Sequence, residues 1–439
     1  MKNKIRLILI FTIFFFSCTH RIVVNTDYSI ANRLSNWSDK ETIKPVLANS
    51  HIISILRSNK IVDTKHFWDS ITAKGTPMFE LLPDKNSLLL TFLHRDSRDD
   101  IQINFDIPSL IGDTCYGDKQ LRHIENSDVW YRTYKIPKDL AASYRYLIKS
   151  KTDTKITMDL LNKHRTPLGL IVDYSYNSFD YLLDSSKVWF YDMVKIKKGT
   201  VLDFDIESKI LKNSHNVKVY KPFGYNESHE YPVIVVFDQL MYVNKVPLPI
   251  ILDNLIAANK IPPCVAIMID NEPSERRSKE LPLYKPFADF VATELMPWAY
   301  QQFDITKDPE KTILLGASYG GLASSFIAFS YPKVFGNVIS QSGSYWRGLE
   351  GQDSDHKWLI KQYEASPKLP IRFYLDCGLQ ENFIVDSVNF LAAHRQMRDV
   401  LKTKGYELYY QEFQGGHELV NWRKTLPDGL IVIFDKMKK

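Results

Sequence analysis

Hydrophobic and polar positions divide this chain into regions of different period. From Leu88 onward, short runs rich in Val, Ile, Tyr and Phe are bounded by Asp, Gly and Pro: "LLLTFLHRD", "DIQINFDIP", "DVWYRTYKIP" and "ASYRYLIK". Such runs, spaced by roughly ten to fifteen residues, predict a small immunoglobulin-like β-sandwich. Near Gly199 the pattern changes. Almost continuous apolar runs now alternate with helix-length segments at 249–259, 287–303, 321–329 and 386–404. The runs are "NVKVYKPF", "YPVIVVFD", "CVAIMID", "TILLGAS", "NVISQSG", "IRFYLDCG" and "ELYYQEFQGG". Strands apolar on both faces and separated by helices predict a mostly parallel sheet covered on both sides. In open α/β sheets, active residues gather at the carboxyl ends of the strands.

The first 17 residues read as a targeting segment. Lys2, Lys4 and Arg6 precede an apolar run, Leu7 to Phe16, that is too short to span a bilayer. The run ends in Ser17-Cys18, which resembles a bacterial lipobox. That resemblance implies a lipid on Cys18 and an exported chain anchored to an envelope membrane, with a periplasmic orientation expected and the cell surface as the alternative; the bland alternative is a plain secretory signal. Residues 18–65 are polar and are expected to form a tether with a helix or two. The expected organisation is therefore 1–17 signal, 18–65 tether, 66–200 β-sandwich and 201–439 catalytic α/β domain.

Composition narrows the class without deciding it. The chain has 439 residues, 44% hydrophobic and 24% charged, which excludes disorder and a multi-span membrane protein. A net charge of +5 is too weak to suggest nucleic acid, but it favours approach of an anionic substrate. Beyond Cys18 the cysteines are Cys115, Cys264 and Cys377, an odd and sparse set that forms no disulfide framework. The spacings suggest no metal site and no cofactor.

The chemistry centres on "GASYGG". Gly316-Ala317-Ser318-Tyr319-Gly320 fits G-x-S-x-G between a predicted strand and helix, the context of a nucleophile elbow. A tight turn there explains glycine two residues before and after the serine. The hydroxyl would then stand at a helix N-terminus, where backbone N–H groups favour a developing oxyanion. The bland alternative is a glycine-rich turn with a solvent-facing serine. A base is expected later in the chain. His417 follows a strand and two glycines; His394 lies mid-helix and His356 in a polar loop. The acid is expected between serine and base, just past a strand. Asp376 precedes that turn, Glu381 has the reach to orient an imidazole, and Asp386 is the alternative, competing with a role as helix cap. Oxyanion donors are expected from the backbone of Tyr319 and of Gln239 or Leu240.

These blocks resemble the enterochelin (enterobactin) esterase family of the α/β-hydrolase superfamily. The likeness is carried by "GASYGGL", "SYPKVFGNVISQSGSYW", "IPPCVAIMID" followed by "ERRSKELP", and "FQGGHELVNW". Upstream it is carried by "GTPMFELLP", "LLLTFLHRD", "SDVWYRTYKIP" and "DLLNKHR". The resemblance implies Ser318 as nucleophile, His417 as base, Glu381 as acid, and an ester of a catecholate siderophore as substrate, often as its iron complex. One departure is that Asp238 is followed by Gln239-Leu240 where the family usually has glycine. For an anionic aromatic substrate, Arg276, Arg277, His94 and Arg95 are candidate cations, and Tyr319, Trp346 and Tyr242 are candidate stacking rings. Each has an ordinary alternative as a solvated cation or a packed ring. Two other functions share the pattern: a feruloyl or acetyl esterase on plant polysaccharide, and a non-catalytic siderophore- or glycan-binding lipoprotein.

Overall fold

The structure is a computed structural model that describes residues 28–58, 64–106, 118–163, 165–166, 176–180, 189–193, 195–349 and 355–437. The expected signal segment, Cys18 and Cys115 lie outside the described residues.

Twenty strands form the described sheets. The C-terminal half is built on eight of them: β11 (Thr200–Ser208), β12 (Asn213–Lys221), β13 (Val233–Val236), β14 (Val265–Ile269), β15 (Thr312–Ala317), β16 (Asn337–Gln341), β17 (Arg372–Gly378) and β20 (Glu407–Phe413). Their order across the sheet is β11-β12-β14-β13-β15-β16-β17-β20. Pairing is antiparallel from β11 to β14 and parallel from there on. The fully buried "VIVV" and "TILLGA" strands follow from the near-continuous apolar runs. Successive residues serve opposite faces. Val235, Leu314 and Val338 join one apolar cluster with helix α9 (Tyr319–Ser330) and helix α11 (Phe390–Thr403). Ile234, Ile313 and Ile339 join another with α5 (Leu248–Ala257) and α12 (Leu419–Lys436).

Three expectations change here. β11 went unread because its exposed side alternates Asp203, Asp205 and Glu207 on a sheet edge, which hides the strand among polar residues. The single helix expected over 287–303 is α7 (Lys285–Phe290), a π-helical turn (Val291–Leu295) and α8 (Met296–Gln302). Pro297, near the start of α8, has no N–H to continue the earlier ladder. The helix expected from 386 begins at Phe390. Its cap is Asn389, whose Oδ1 accepts from Ala392 N–H at 2.8 Å, and residues 384–389 instead form a hairpin of β18 (Ile384–Val385) and β19 (Val388–Asn389).

Among the described residues, the N-terminal half holds two five-stranded antiparallel sheets. One contains β3 (Ser87–Arg95) and β6 (Val129–Pro137); the other contains β4 (Gln102–Asp106) and β7 (Ala141–Lys149). They share one core, in which Phe92 of the first sheet stacks on Phe105 of the second at 4.3 Å and meets Tyr144 edge-on at 4.9 Å.

Two connections tie the halves together. The segment expected as a tether is docked. Leu34 of helix α1 (Tyr28–Ser35) is buried in the C-terminal core. Arg395 pairs with Glu412 and donates to Lys40 O; Arg398 pairs with Asp39; Thr42 Oγ1 donates to Leu379 O at 2.8 Å. This segment therefore covers β20, the edge strand, whose backbone would otherwise offer a pairing surface. The second connection runs from β7 to the loop after β20. Ala141 N–H donates to Gln414 O at 3.3 Å, and Ser143 N–H donates to the Glu418 carboxyl at 2.6 Å.

Glu418 is buried with no cation paired to it among the described residues, and burial pushes its carboxyl up to about 8. Because the folded value lies above the unfolded one, its contribution to stability is fully present below about pH 4.5 and is lost as pH rises through 8. Glu418→Gln keeps the acceptor for Ser143 and removes the ionisation. The stability difference between Glu418→Gln and the native chain should therefore grow in favour of the variant by on the order of 3 kcal/mol from pH 4.5 to 9, read by urea unfolding. A difference that is flat with pH would show that Glu418 does not carry that proton.

Candidate active site

β15 delivers Ser318 at the head of α9. The serine adopts φ 58° and ψ −120°, a left-handed backbone that is strained for a residue with a Cβ. The turn is tight because the strand folds back onto the helix: a Cβ on Gly316 would lie 2.3 Å from the Gly320 carbonyl carbon. The steric demand expected at both glycines is uneven. A Cβ on Gly320 would make only ordinary contacts, whereas one on Gly321 would lie 2.5 Å from Ser340 Oγ. The elbow is held from the neighbouring strand end, as Ser318 N–H donates to Gln341 O at 2.9 Å and Ser344 N–H donates to Ser318 O at 3.1 Å.

β17 and β20 end beside it and supply two further groups. Glu381 is fully buried. One carboxylate oxygen accepts from Gly378 N–H and from Ser342 Oγ, both at 2.7 Å; the other lies 2.7 Å from His417 Nδ1. A buried carboxylate with three donors is satisfied as an anion. His417 stands edge-on to Phe390 at 5.2 Å and to Trp422 at 5.0 Å. Trp422 Nε1 donates to Ser342 Oγ at 2.9 Å, so Ser342 relays between the indole and the carboxylate. With Nδ1 held by Glu381, Nε2 is the nitrogen left to take a proton. The Ser318 hydroxyl contacts Ser344 Oγ at 3.5 Å and is not hydrogen-bonded to His417.

Helix α4 (Gln239–Asn244) follows Asp238, whose backbone is left-handed. The N–H groups of Gln239 and Leu240, like that of Tyr319 at the start of α9, belong to first helical turns and have no intrahelical acceptor. Gln239, which stands where a glycine was expected, is buried. Its amide donates to Asn216 Oδ1 at 3.0 Å and to Met268 O at 3.3 Å, pinning the loop to β12 and β14. Arg277 donates to both oxygens of Asp238, at 2.7 and 2.9 Å, and lies over the Tyr319 ring at 5.6 Å. Its placement beside the elbow is therefore that of a paired cation.

The remaining sequence candidates divide. Trp346 packs near Tyr319, with ring centroids 6.3 Å apart. Tyr242 is not a stacking ring, because it is fully buried with its hydroxyl donating to Gln341 Oε1 at 3.1 Å. His94 and Arg95 find partners within the N-terminal half: His94 against Tyr146, and Arg95 paired with Asp128 at 2.7 Å and lying over Trp68. Arg276 donates to Ser214 O. Asp386 does not reach His417; it sits on the hairpin turn and faces Arg347 at 3.6 Å. His394 is enclosed between Tyr345 and Tyr410 with neither ring nitrogen partnered, and burial lowers it to about 3. Asp376 accepts from Ser342 N–H and Tyr374 Oη, and burial pushes it up to about 7. Ser342, Ser344 and Trp422 were missed as site residues. The usable signal was position, since "SQSGSYW" follows the strand next to the elbow strand.

The family described as "Putative esterase" matches residues 208–433, just over half of the chain. The chain belongs to this esterase family. The esterase is thus a carboxylic ester hydrolase, and the elbow, His417 and Glu381 all lie within the matched span. The iron(III) enterobactin esterase of Dickeya dadantii is 23% identical over 425 residues, 88% of this chain and 96% of the relative. Among solved structures, the enterobactin esterase of Shigella flexneri, determined in the presence of enterobactin, superposes with a TM-score of 0.70 at 22% identity. It covers 85% of this chain and 98% of its own. The ferric enterobactin esterase of Salmonella typhimurium gives 0.72 at 20% identity over 85% of this chain and 99% of its own. At that identity the structural likeness speaks for the fold, an α/β-hydrolase.

Two substitutions test the site. Ser318→Ala should abolish turnover of p-nitrophenyl butyrate with an unchanged circular dichroism spectrum. Glu381→Gln should lower kcat by about a thousandfold, because the imidazole loses the anion that holds its tautomer. A fall of that size from Asp386→Asn instead would reassign the acid.

Proposed function

We propose that this esterase hydrolyses the ester bonds of a catecholate siderophore of the enterobactin kind and so releases its iron. The observation that carries this reading is the extent of the likeness to the D. dadantii iron(III) enterobactin esterase. It runs over 96% of that relative and includes the N-terminal sheets as well as the catalytic half. The net charge of +5 favours an anionic iron complex as substrate.

The geometry supports a two-step route. Ser318 Oγ attacks the ester carbonyl carbon while His417 Nε2 takes the hydroxyl proton. The N–H groups of Tyr319 and of Gln239 or Leu240 receive the charge on the carbonyl oxygen. The tetrahedral centre collapses, the C–O bond breaks, and His417 returns its proton to the departing alcohol oxygen. Water then attacks the acyl-serine, again losing a proton to His417, and the acid leaves as Ser318 regains its hydrogen. Glu381 stays ionised and holds the imidazolium by charge. Each ester cut severs a covalent link between iron-binding groups. The grip on iron then loses the high effective concentration that linkage provides.

The proposal includes an exported enzyme, held to the periplasmic face of an envelope membrane through a lipid on Cys18. Its support is the Lys2, Lys4, Arg6 and apolar-run pattern.

The purified chain should turn over ferric enterobactin and iron-free enterobactin faster than methyl ferulate, followed by liquid chromatography of the products. Turnover of ferulate or acetyl esters alone would overturn the siderophore reading. Cys18→Ser should move the protein from the membrane fraction to the soluble one; an unchanged distribution would remove the anchor.

A further inference from the structure

A line of alternating arginine and aromatic side chains, in which Trp346 is buried and Tyr319 half-buried, runs beside Ser318. Arg277 lies 5.6 Å from the Tyr319 ring, Tyr319 lies 6.3 Å from Trp346, and Arg347 lies 5.7 Å from the Trp346 ring. Tyr319 follows the nucleophile directly. Arg347 is joined to the nucleophile through Ser344: its N–H donates to Ser344 O at 3.1 Å, and Ser344 Oγ is 3.5 Å from Ser318 Oγ.

The two arginines at the ends of this line differ in how they are held. Arg277 has a bidentate partner, and the side chain of that Asp238 is only 2% exposed. Arg347 has no such lock. Among the described residues its ion-pair partner is Asp386, which stands at 3.6 Å, beyond hydrogen-bond reach, and the two side chains are 32% and 52% exposed. Its Nε is buried and has no hydrogen-bond partner. The backbone of Arg347 is nevertheless fixed on both sides, because Trp358 N–H donates to its carbonyl at 3.2 Å. Asp386 sits on the two-residue turn of the β18–β19 hairpin, with φ 45° at Asp386 and 65° at Ser387, and neighbouring Ile384 is 63% exposed. An ion pair between two groups this exposed contributes little, so another anion can take the place of Asp386.

We propose that Arg347 is the anion-recognition residue for the substrate's aryl group. A catecholate or carboxylate oxygen on the ring displaces Asp386 from the guanidinium, and the ring itself lies against the half-buried Tyr319, which Trp346 backs from the core. The inference rests on the siderophore-esterase reading for the identity of the aryl group, but not for the role of the charge. Asp386 then acts as a competitor that keeps Arg347 oriented when the site is empty.

The test is equilibrium binding of 2,3-dihydroxybenzoate and of neutral 2,3-dihydroxybenzamide to the full chain, read by calorimetry, so that it does not depend on turnover. The preference for acid over amide should fall about tenfold in Arg347→Gln, as expected for one charge-assisted contact. It should be partly retained in Arg347→Lys and should rise about threefold in Asp386→Asn, where the competitor is removed. An unchanged preference in Arg347→Gln, or a fall in Asp386→Asn, overturns the proposal. If Arg347→Gln does not fold, the sign of the Asp386→Asn effect decides. Failure to cut ferric enterobactin alongside an Arg347-dependent preference would overturn the siderophore reading and leave this one standing.

Discussion

The Glu381 carboxylate is a full charge held out of water, and the catalytic end of the sheet is organised around satisfying it. An unpaired anion at that depth would cost several kcal/mol. Three donors from three separate segments meet it: Gly378 N–H at the end of β17, Ser342 Oγ after β16 and His417 after β20. Each arrival constrains its own surroundings. Gly378 admits no side chain, because a Cβ there would sit 2.3 Å from Gly415 O and 2.8 Å from the carboxylate itself. Ser342 takes a left-handed backbone and is held in turn by Trp422. The imidazole orientation is thus set by charge satisfaction, and catalysis inherits it.

That constraint reaches beyond the catalytic half. The loop carrying His417 is bounded on its other side by the first residues of β7, through Ala141 and Ser143. Asn421 closes the loop from within, donating to Gly416 O at 3.0 Å. The N-terminal sheets are therefore part of what fixes the base, whatever else they contribute to substrate capture.

Much of this was legible in the sequence because it depends on local pattern. Buried parallel strands need apolar runs, and an elbow needs small residues around one serine. His417 was readable because it follows a strand and two glycines. What stayed hidden depends on distant partners. Tyr242 and Trp346 are both aromatic residues beside the catalytic strands, and both are buried, the first through a hydrogen bond to Gln341 that the local sequence does not announce. His94 and Arg95 looked like candidates because charge can be read locally, while their actual partners Tyr146 and Asp128 cannot. The acid was left between Glu381 and Asp386 because nothing in "LQENFIVDSVNF" announces a two-residue hairpin turn that carries Asp386 to the far side.

The docked N-terminal segment also bears on the order in which the molecule can assemble. Arg33 meets Asp428 across 395 positions, and Lys40 meets Glu412 across 372. A chain that emerges N-terminus first has nothing for this segment to dock on until its last strand and helix have appeared. Contacts of such long range form late and slowly. Until then Leu34 stays in water and the edge of the incoming strand stays open. The closing of residues 28–42 over β20 and α12 is therefore a late step of folding, and until it happens that strand edge is open to proteases and to neighbouring chains.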